Sequence, residues 1–447
     1  MMTTPIVDFV KSYANANGLR LHMPGHKGRG ALGVEALDLT EIQGADSLYE
    51  ADGVIAESER NASQLFGCPT FYSTEGSSLC IRAMLLLLTR YAKESGKVPL
   101  ILAGRNAHKA FLNGVALLDL DVEWLCGAES SYLSCAVTAE RLESKLSAME
   151  RPPVAVYLTA PDYLGNCVDW TSISEVCHRH GVLLAVDCAH GAYLRFLKAS
   201  RHPMDGGVDL CCASAHKTLP VLTGGAYLHV AECAPSSFVK QAKSALATFG
   251  STSPSYLILQ SLDLANAMLN GDYPLRLREF AERVEKFRMD AEVQGYVFEG
   301  NEPTKLTLKP KAYGYLGSEF AELLREQGIE CEFADRDHTV LMLTPEIGAD
   351  GLERLAEAMD SIPRRPSITE LPPKHPSLVS VLSVRDAMLA PTEYLPIEAC
   401  EGRVLAAASV GCPPAVPLAI CGDRLDREII RCFNYYGIHH LWVVKNI

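Results

Sequence analysis

Residues 182–191 read Val-Leu-Leu-Ala-Val-Asp-Cys-Ala-His-Gly, an apolar run that ends in the acid Asp187. A short apolar run of this kind is typical of a strand that is buried on both faces, as in a parallel sheet. Its last residue then lies at the carboxyl edge of the sheet, where open α/β folds bind ligands. Because a buried Asp needs a cationic partner or hydrogen bonds, Asp187 is either a ligand-binding acid or a structural helix cap.

Strand and helix patterns alternate on both sides of this run, from about residue 57 to residue 232. Such alternation, with nearly continuous apolar strands, predicts an α/β protein with a mostly parallel central sheet covered by helices. The predicted strands are 99–103, 122–125, 154–159, 182–186, 210–213 and 225–230.

The rest of the chain changes character after this alternating part. Residues 296–344 read as a smaller α/β unit, and a proline-rich stretch at 363–376 precedes a segment with its own helix and strands. We expect three parts: an N-terminal segment with a large domain at 1–250, a small α/β domain at 251–365, and a C-terminal α+β domain at 366–447.

A lysine follows another predicted strand. Ser214-Ala215-His216-Lys217-Thr218 comes directly after the strand 210–213, so Lys217 also falls at a ligand-binding edge. A single lysine is usually a surface residue. Here the flanking Ser214 and His216 can donate hydrogen bonds to a phosphate, and Gly224-Gly225 follows.

Two further stretches have a functional and a structural interpretation. Thr74-Glu75-Gly76-Ser77-Ser78 opens a predicted helix, where free N–H groups and hydroxyls can bind an anion, although Ser at a helix start is usually a cap. Arg105-Asn106-Ala107-His108-Lys109 follows the strand 99–103. His108 is either a capping loop residue or a ring that stacks on a ligand.

Together these stretches supply what pyridoxal 5'-phosphate (PLP) needs. A strand-end lysine can hold the cofactor covalently, a strand-end acid can keep the pyridine nitrogen protonated, and a helix N-terminus can bind the phosphate. No single stretch is specific for PLP, but the ordered set is.

The set and its surroundings resemble the bacterial ornithine/lysine/arginine decarboxylases, which are fold-type I PLP enzymes. The resemblance covers nearly the whole chain and includes Pro24-Gly25-His26-Lys27-Gly28 and Ser214-Ala215-His216-Lys217. Further matching stretches are 41–48, 106–109, 159–165, 187–191, 385–391 and 412–417.

The resemblance implies roles for individual residues. Lys217 would hold the cofactor, Asp187 would contact the pyridinium, and His108 would stack on the ring, with Ala189 against its other face. Ser77, Ser78, Ser214 and His216 would bind the phosphate. We therefore expect catalytic roles for Lys217, Asp187, His108 and His216, and a cofactor site completed by Gly76, Ser77, Ser78, Ala189, His190 and Ser214.

The chain also departs from the family pattern. Glu75 stands where the phosphate loop usually has Asn, and Pro414-Ala415-Val416-Pro417 replaces Pro-Gly-Ile-Pro. The signature starts at residue 21, so we expect a short form without the receiver-like domain that precedes it in larger relatives. These departures leave the expected cofactor site intact and bear on substrate identity.

The expected reaction is α-decarboxylation of lysine, arginine or ornithine to a polyamine, by a homodimer or a larger homo-oligomer. The alternatives are another fold-type I reaction, such as transamination or elimination, and a PLP-binding protein without activity. Asp46, Glu393 and Asp423 are candidate partners for the distal amine of the substrate.

Charge excludes some other functions. The 447 residues carry 41 Lys and Arg against 54 Asp and Glu, a formal net charge of −13. No run of five or more basic residues occurs, so nucleic acid is not an expected partner. An acidic surface suits a small cationic ligand.

Cysteine usage and hydropathy predict the compartment. The 15 cysteines are odd in number and form no Cys-x-x-Cys pair, which favours buried reduced thiols in a cytoplasmic protein over a metal site. We expect no metal, no signal peptide and no membrane partner, because the longest apolar run, near 84–88, is too short to span a bilayer.

Overall fold

The computed structural model describes residues 2–125, 131–374, 376, 378–407 and 416–445. The chain divides into two compact units, each built from two stretches of sequence. The first unit comprises Met1–Val98 and Trp170–Arg278, and the second comprises Pro99–Asp169 and Glu279–Ile447.

Helices and strands are numbered in chain order. The helices are α1 (Pro5–Asn15), α2 (Val54–Phe66), α3 (Gly76–Glu94), α4 (Lys109–Leu118), α5 (Ala139–Ala148), α6 (Trp170–Arg179), α7 (Ala215–Thr218), α8 (Ser236–Phe249), α9 (Tyr256–Leu269), α10 (Tyr273–Val293), α11 (Gly317–Arg325), α12 (Gly351–Asp360), α13 (Val384–Leu389) and α14 (Arg427–Tyr435). The strands are β1 (Thr70–Ser73), β2 (Leu100–Gly104), β3 (Asp121–Leu125), β4 (Ala155–Thr159), β5 (Leu183–Asp187), β6 (Leu210–Ala213), β7 (Ala226–Val230), β8 (Phe298–Glu299), β9 (Lys305–Leu308), β10 (Phe333–Ala334), β11 (Thr339–Met342), β12 (Thr392–Pro396) and β13 (His440–Val444).

The first unit holds four neighbouring strands in the order β1-β7-β6-β5. Strands β5 and β6 run parallel, with Asp187 opposite Cys212, whereas β7 is antiparallel to both β6 and β1. The strands β6 and β7 are buried at every position. The long helix α3 packs on β6 and β7 through an apolar face, which fixes its N-terminus near the ends of these strands.

The second unit holds three sheets. Strands β4-β2-β3 pair in parallel, β10-β11-β9-β8 pair antiparallel, and β12 and β13 form an antiparallel ribbon. Two separate hydrophobic cores accompany the last two sheets, one built from residues between Phe280 and Ile362 and one from residues between Ile397 and Val443.

The predicted α/β fold class is confirmed, and most predicted elements lie within a few residues of the observed ones. Strand β1 was not predicted. It has only four residues and begins soon after the end of α2, which is too short a stretch for a recognisable strand pattern. The three-part division of the chain stays a prediction, and residues 412–415 of the tail motif lie outside the described residues.

Candidate active site

Strand β5 places a buried acid at its carboxyl end. Asp187 is its last residue and is 2% exposed. Its Oδ1 accepts a hydrogen bond from the Ala189 N–H at 3.1 Å and one from the Cys212 thiol at 3.6 Å. The register of β5 and β6 explains the second contact, because it sets Asp187 opposite Cys212. The carboxylate is therefore desolvated and held in one orientation by its donors.

A lysine from the end of the neighbouring strand β6 meets the loop that follows Asp187. The chain leaves β6 at Ser214 and makes the single turn α7, in which the Lys217 N–H donates to the Ser214 carbonyl at 3.2 Å. The Lys217 amine, Nζ, lies 3.0 Å from Nε2 of His190, which is 5% exposed. An amine and an imidazole at this distance can exchange a proton.

The N-terminus of α3 forms a polar cradle beside Ser214. Gly76 opens this 19-residue helix with a φ of +69°, a conformation that side chains rarely adopt, and its N–H donates to the Gly224 carbonyl at 2.7 Å. The N-cap residue Glu75 makes no side-chain capping bond, and the Ser214 hydroxyl donates to the Ser77 hydroxyl at 2.9 Å. Hydroxyls, backbone N–H groups and the helix dipole together favour an anion here.

His216 stands next to this cradle. Its Nδ1 lies 3.0 Å from the Gly225 carbonyl, and its ring carbon Cε1 lies 3.8 Å from where a Cβ on Gly76 would be. Burial lowers the pKa of His216. The hydrogen bond with the Gly225 carbonyl opposes this effect, and the charge of Lys217 makes a smaller lowering contribution. In the neutral ring Nδ1 donates to Gly225, so Nε2 can donate to a phosphate only when the ring is protonated.

His108 belongs to the second unit, where it is the N-cap residue of α4. Its Nδ1 accepts the Ala110 N–H at 3.1 Å. The structural interpretation of His108 as a capping residue therefore holds. Stacking on a ring uses the face of the imidazole and not its nitrogens, so the cap does not conflict with the predicted stacking role, which stays a prediction.

The donor set of the first unit fits PLP. The phosphate would lie at the N-terminus of α3 with the hydroxyls of Ser77 and Ser214, the aldehyde at Lys217, and the pyridine nitrogen at the buried carboxylate of Asp187. Sequence reasoning noted Gly224 but not its contact with the Gly76 N–H, and it missed Cys212, which contacts Asp187. The alternation of side chains along a strand could have identified Cys212. It lies in β6 two residues before Ser214, so both side chains are expected on the same face.

The three acids considered for the substrate's distal amine already have structural partners. Asp46 accepts five backbone N–H groups between Ser47 and Ala56 and so caps α2. Asp423 accepts the Ser380 hydroxyl at 2.6 Å and the Ile420 N–H at 2.9 Å. Glu393 pairs with Arg403. The carboxylates of Asp46 and Asp423 are buried by these contacts, which explains their presence without a substrate.

Comparison with known proteins agrees with this geometry. Residues 4–310 match the family model described as Orn/Lys/Arg decarboxylase, major domain. The chain belongs to this family. PLP is the cofactor of the Orn/Lys/Arg decarboxylases, in accord with the donor set.

Individual relatives and solved structures extend the match. An arginine decarboxylase of Bacillus subtilis is 29% identical, over 96% of this chain and 92% of its own length. The lysine decarboxylase LdcA of Pseudomonas aeruginosa is 26% identical, over 50% of this chain and 32% of its own. The structure of the Escherichia coli constitutive lysine decarboxylase superposes with a TM-score of 0.76 at 18% identity, covering 99% of this chain and 82% of that chain, which shows the shared fold. No helix among the described residues is long and apolar enough to cross a bilayer.

Proposed function

We propose that this family member removes the α-carboxyl group of a basic amino acid with bound PLP. The observation that carries the proposal is the meeting of Lys217 with His190 beside the buried carboxylate of Asp187, at one edge of the sheet. Bound PLP supplies an electron sink for the pair of electrons left when CO₂ departs.

Asp187 supports this electron sink electrostatically. Its carboxylate is fixed by the Ala189 N–H and the Cys212 thiol, and is shielded from water. Each unit by which a desolvated carboxylate raises the pKa of a bound pyridine nitrogen corresponds to about 1.4 kcal/mol. We therefore assign to Asp187 the task of holding the proton on that nitrogen.

Lys217 and His190 are placed to transfer the proton that replaces the carboxyl group on the substrate carbon. Lys217 is the residue that would hold the cofactor between turnovers, and its amine would be free while the substrate is bound. The freed amine can then deliver a proton to the substrate carbon, and His190, 3.0 Å away, can restore it. Ser77, Ser214 and the first turn of α3 anchor the phosphate, with Ser78 and His216 beside them.

Arginine is the first substrate to test. The arginine decarboxylase of B. subtilis aligns over nearly all of both chains, whereas the lysine decarboxylase LdcA aligns over half of this chain. We expect a basic substrate to exceed the neutral analogue norleucine by at least about 10²-fold in kcat/KM, because a site that hydrogen-bonds a cationic group loses those bonds to a methyl group.

Two measurements test the proposal. Borohydride reduction followed by peptide mapping should place PLP on Lys217, and a label on any other lysine would contradict the assignment. Incubation with arginine, lysine, ornithine and norleucine should release CO₂ and the matching amine from a basic substrate. Amino-group transfer or elimination without CO₂ would instead indicate a different fold-type I reaction, and PLP binding without turnover a non-catalytic protein.

We further propose a homodimer in the cytoplasm. Leu19, Leu21, Met23 and Leu32 expose 67–86% of their surface in the segment that contains the Pro24-Gly25-His26 motif. Large apolar side chains grouped in this way are typical of an interface, and a second copy of the chain is the partner that the family resemblance implies. Light scattering should give twice the mass of the 48.6 kDa chain.

The cysteines support the cytoplasmic location. The thirteen described cysteines are free thiols, which suits a reducing compartment.

A further inference from the structure

A second group of ligating side chains lies in the core of the first unit, beneath the candidate active site. Side chains alternate between the two faces along a strand. Because the Cys212 thiol reaches Asp187, the thiol of the preceding residue Cys211 extends from the opposite face. Cys188, which follows Asp187, lies on that face too, and His202 comes from the connection between β5 and β6. We name Cys188, His202 and Cys211, together with His229 described below, the thiol–imidazole cluster.

Three members of the cluster lie close together and are buried. One ligating atom from each of Cys188, His202 and Cys211 lies within 4.8 Å of the other two. The exposed fractions of these residues are 0%, 1% and 0%. Two sulfurs and an imidazole nitrogen at such separations need only small side-chain adjustments to surround one metal ion.

Strand β7 offers a candidate for a fourth ligand. The antiparallel register sets His229 directly opposite Cys211, on the same face, and its ring centroid is 5.2 Å from that of His202. The Thr70 hydroxyl donates to the Cys68 carbonyl at 3.0 Å, so at 2.9 Å it must accept from Nδ1–H of His229. This tautomer leaves a lone pair on Nε2, an atom that is buried and has no hydrogen-bond partner in the part of the chain that the structure describes.

His202 shows the same feature. Its Nε2 is also buried and without a partner among the described residues. Its Nδ1 accepts the Met204 N–H at 3.4 Å, beyond the usual range for such bonds. Metal binding at Nε2 moves the ring proton to Nδ1 and gives up only this long contact. Two unpartnered imidazole nitrogens beside two thiols are an unusual core, since buried polar atoms are nearly always hydrogen-bonded.

We propose that Cys188, His202, Cys211 and His229 bind one Zn²⁺ in a structural site. Binding forms two Zn–S and two Zn–N bonds, and the two thiol protons leave to solvent. Two thiolates and a dication sum to zero charge, which suits a site without water, and a closed Cys₂His₂ set is the usual structural zinc environment. The ion would link β6 and β7 to the connection that follows β5. Strand β5 ends at Asp187, and β6 directly precedes the turn with Lys217.

The sequence alone predicted no metal site. The reason is physical: two of the four residues lie on β6 and β7 and two in the connection between β5 and β6, with no short spacing between them, so only the folded sheet brings them together.

Metal analysis of the purified holoenzyme, expressed with added zinc, tests the proposal. We expect about one zinc per chain, and X-ray absorption at the zinc edge should show sulfur near ~2.3 Å and nitrogen near ~2.0 Å. Less than about a tenth of a zinc per chain after incubation with Zn²⁺ would overturn the site, as would an oxygen-only shell. Copper in place of zinc would overturn the choice of metal.

Variants locate the ion. Cys211→Ser and His229→Gln should each lose most of the zinc, whereas Cys177→Ser, which changes another fully buried thiol of the same unit, should keep it. Zinc retained in both cluster variants would contradict the proposal. If neither variant folds, the absorption spectrum of the wild-type holoenzyme decides, since it reports the ligand atoms directly.

Discussion

Lys217 and Lys311 are both shielded lysines, but their amines face different partners. The Lys217 amine lies 3.0 Å from the imidazole of His190. The Lys311 amine, in the second unit, donates to Asp337 at 2.6 Å and to the Glu370 carbonyl at 2.9 Å, and it also contacts the Tyr435 hydroxyl. Lys311 thus directs its three protons to three acceptors.

The difference separates structural from reactive lysines. A buried ammonium that donates to a carboxylate and two neutral acceptors has a structural role, because its removal would leave the carboxylate without a cation. An amine beside an imidazole has a neighbour that can accept its proton. The neutral amine is the form that attacks a carbonyl. Burial of a lysine therefore says little about function until its partner is known. The predictions that follow test this distinction.

Loss of the Lys217 amine should have the largest effect. Lys217→Ala should reduce decarboxylation by at least about 10³-fold, since both covalent attachment of the cofactor and proton delivery need the amine. Amine release from the basic substrate measures the loss, and thermal unfolding checks that the variant is folded. A folded variant with more than about a tenth of wild-type activity would refute the role of Lys217.

Asp187→Asn should come second. The amide keeps the shape of the side chain and can still contact Ala189 and Cys212, but it carries no charge to hold a proton on the pyridine nitrogen. We expect kcat to fall by at least about 10²-fold while PLP content, measured by absorbance, stays near one per chain. Near-normal kcat would show that Asp187 is a structural residue, which is the alternative that the sequence left open.

The two lysines also show how far sequence takes the argument. Strand β6 and the residues that follow it could be predicted, because an apolar run and a motif are local patterns. The partner of Lys217 could not, because His190 reaches it from a different loop, and the sheet register decides which loops meet. Lys311 carries no motif, and its acceptors Asp337 and Tyr435 are distant in sequence.

The same limit applies to the acids. Asp187 was identified because an acid at a strand end has one predictable location. Asp46 and Asp423 were considered for substrate binding because their surroundings cannot be read from the chain. In the structure Asp46 caps a helix, and Asp423 joins the strand-like segments near Ser380 and Ile420. Such roles depend on backbone N–H groups, which every residue except proline has and no motif marks.

Lys311→Met should affect stability rather than chemistry. Removal of the amine leaves the carboxylate of Asp337 buried and unpaired, so the free energy of unfolding should fall by about 3–5 kcal/mol. The matched control is Lys145→Met, which breaks the exposed pair with Glu123 and should change stability by about 0–1 kcal/mol. Urea unfolding measures both. Equal effects of the two substitutions, or a loss of kcat in folded Lys311→Met, would remove the contrast with Lys217.

The smallest expected effect is a pH dependence from His338, which lies in the second unit with Asp335 and Glu299. Burial alone would lower its pKa, but the carboxylates of Asp335 and Glu299, whose oxygens lie 3.5 and 3.6 Å from the ring nitrogens, raise the pKa of His338 to about 9. The protonated ring therefore stabilises the folded state at any pH below about 6.5, its ordinary pKa, and this contribution is lost as the pH rises through about 9. At ~1.4 kcal/mol per pKa unit, up to about 3 kcal/mol should disappear between pH 7 and pH 9.5. His338→Gln removes the titrating group, so urea unfolding of wild type and variant across this window should give a difference that shrinks with rising pH. A difference that is constant with pH would show that His338 is neutral in the folded protein.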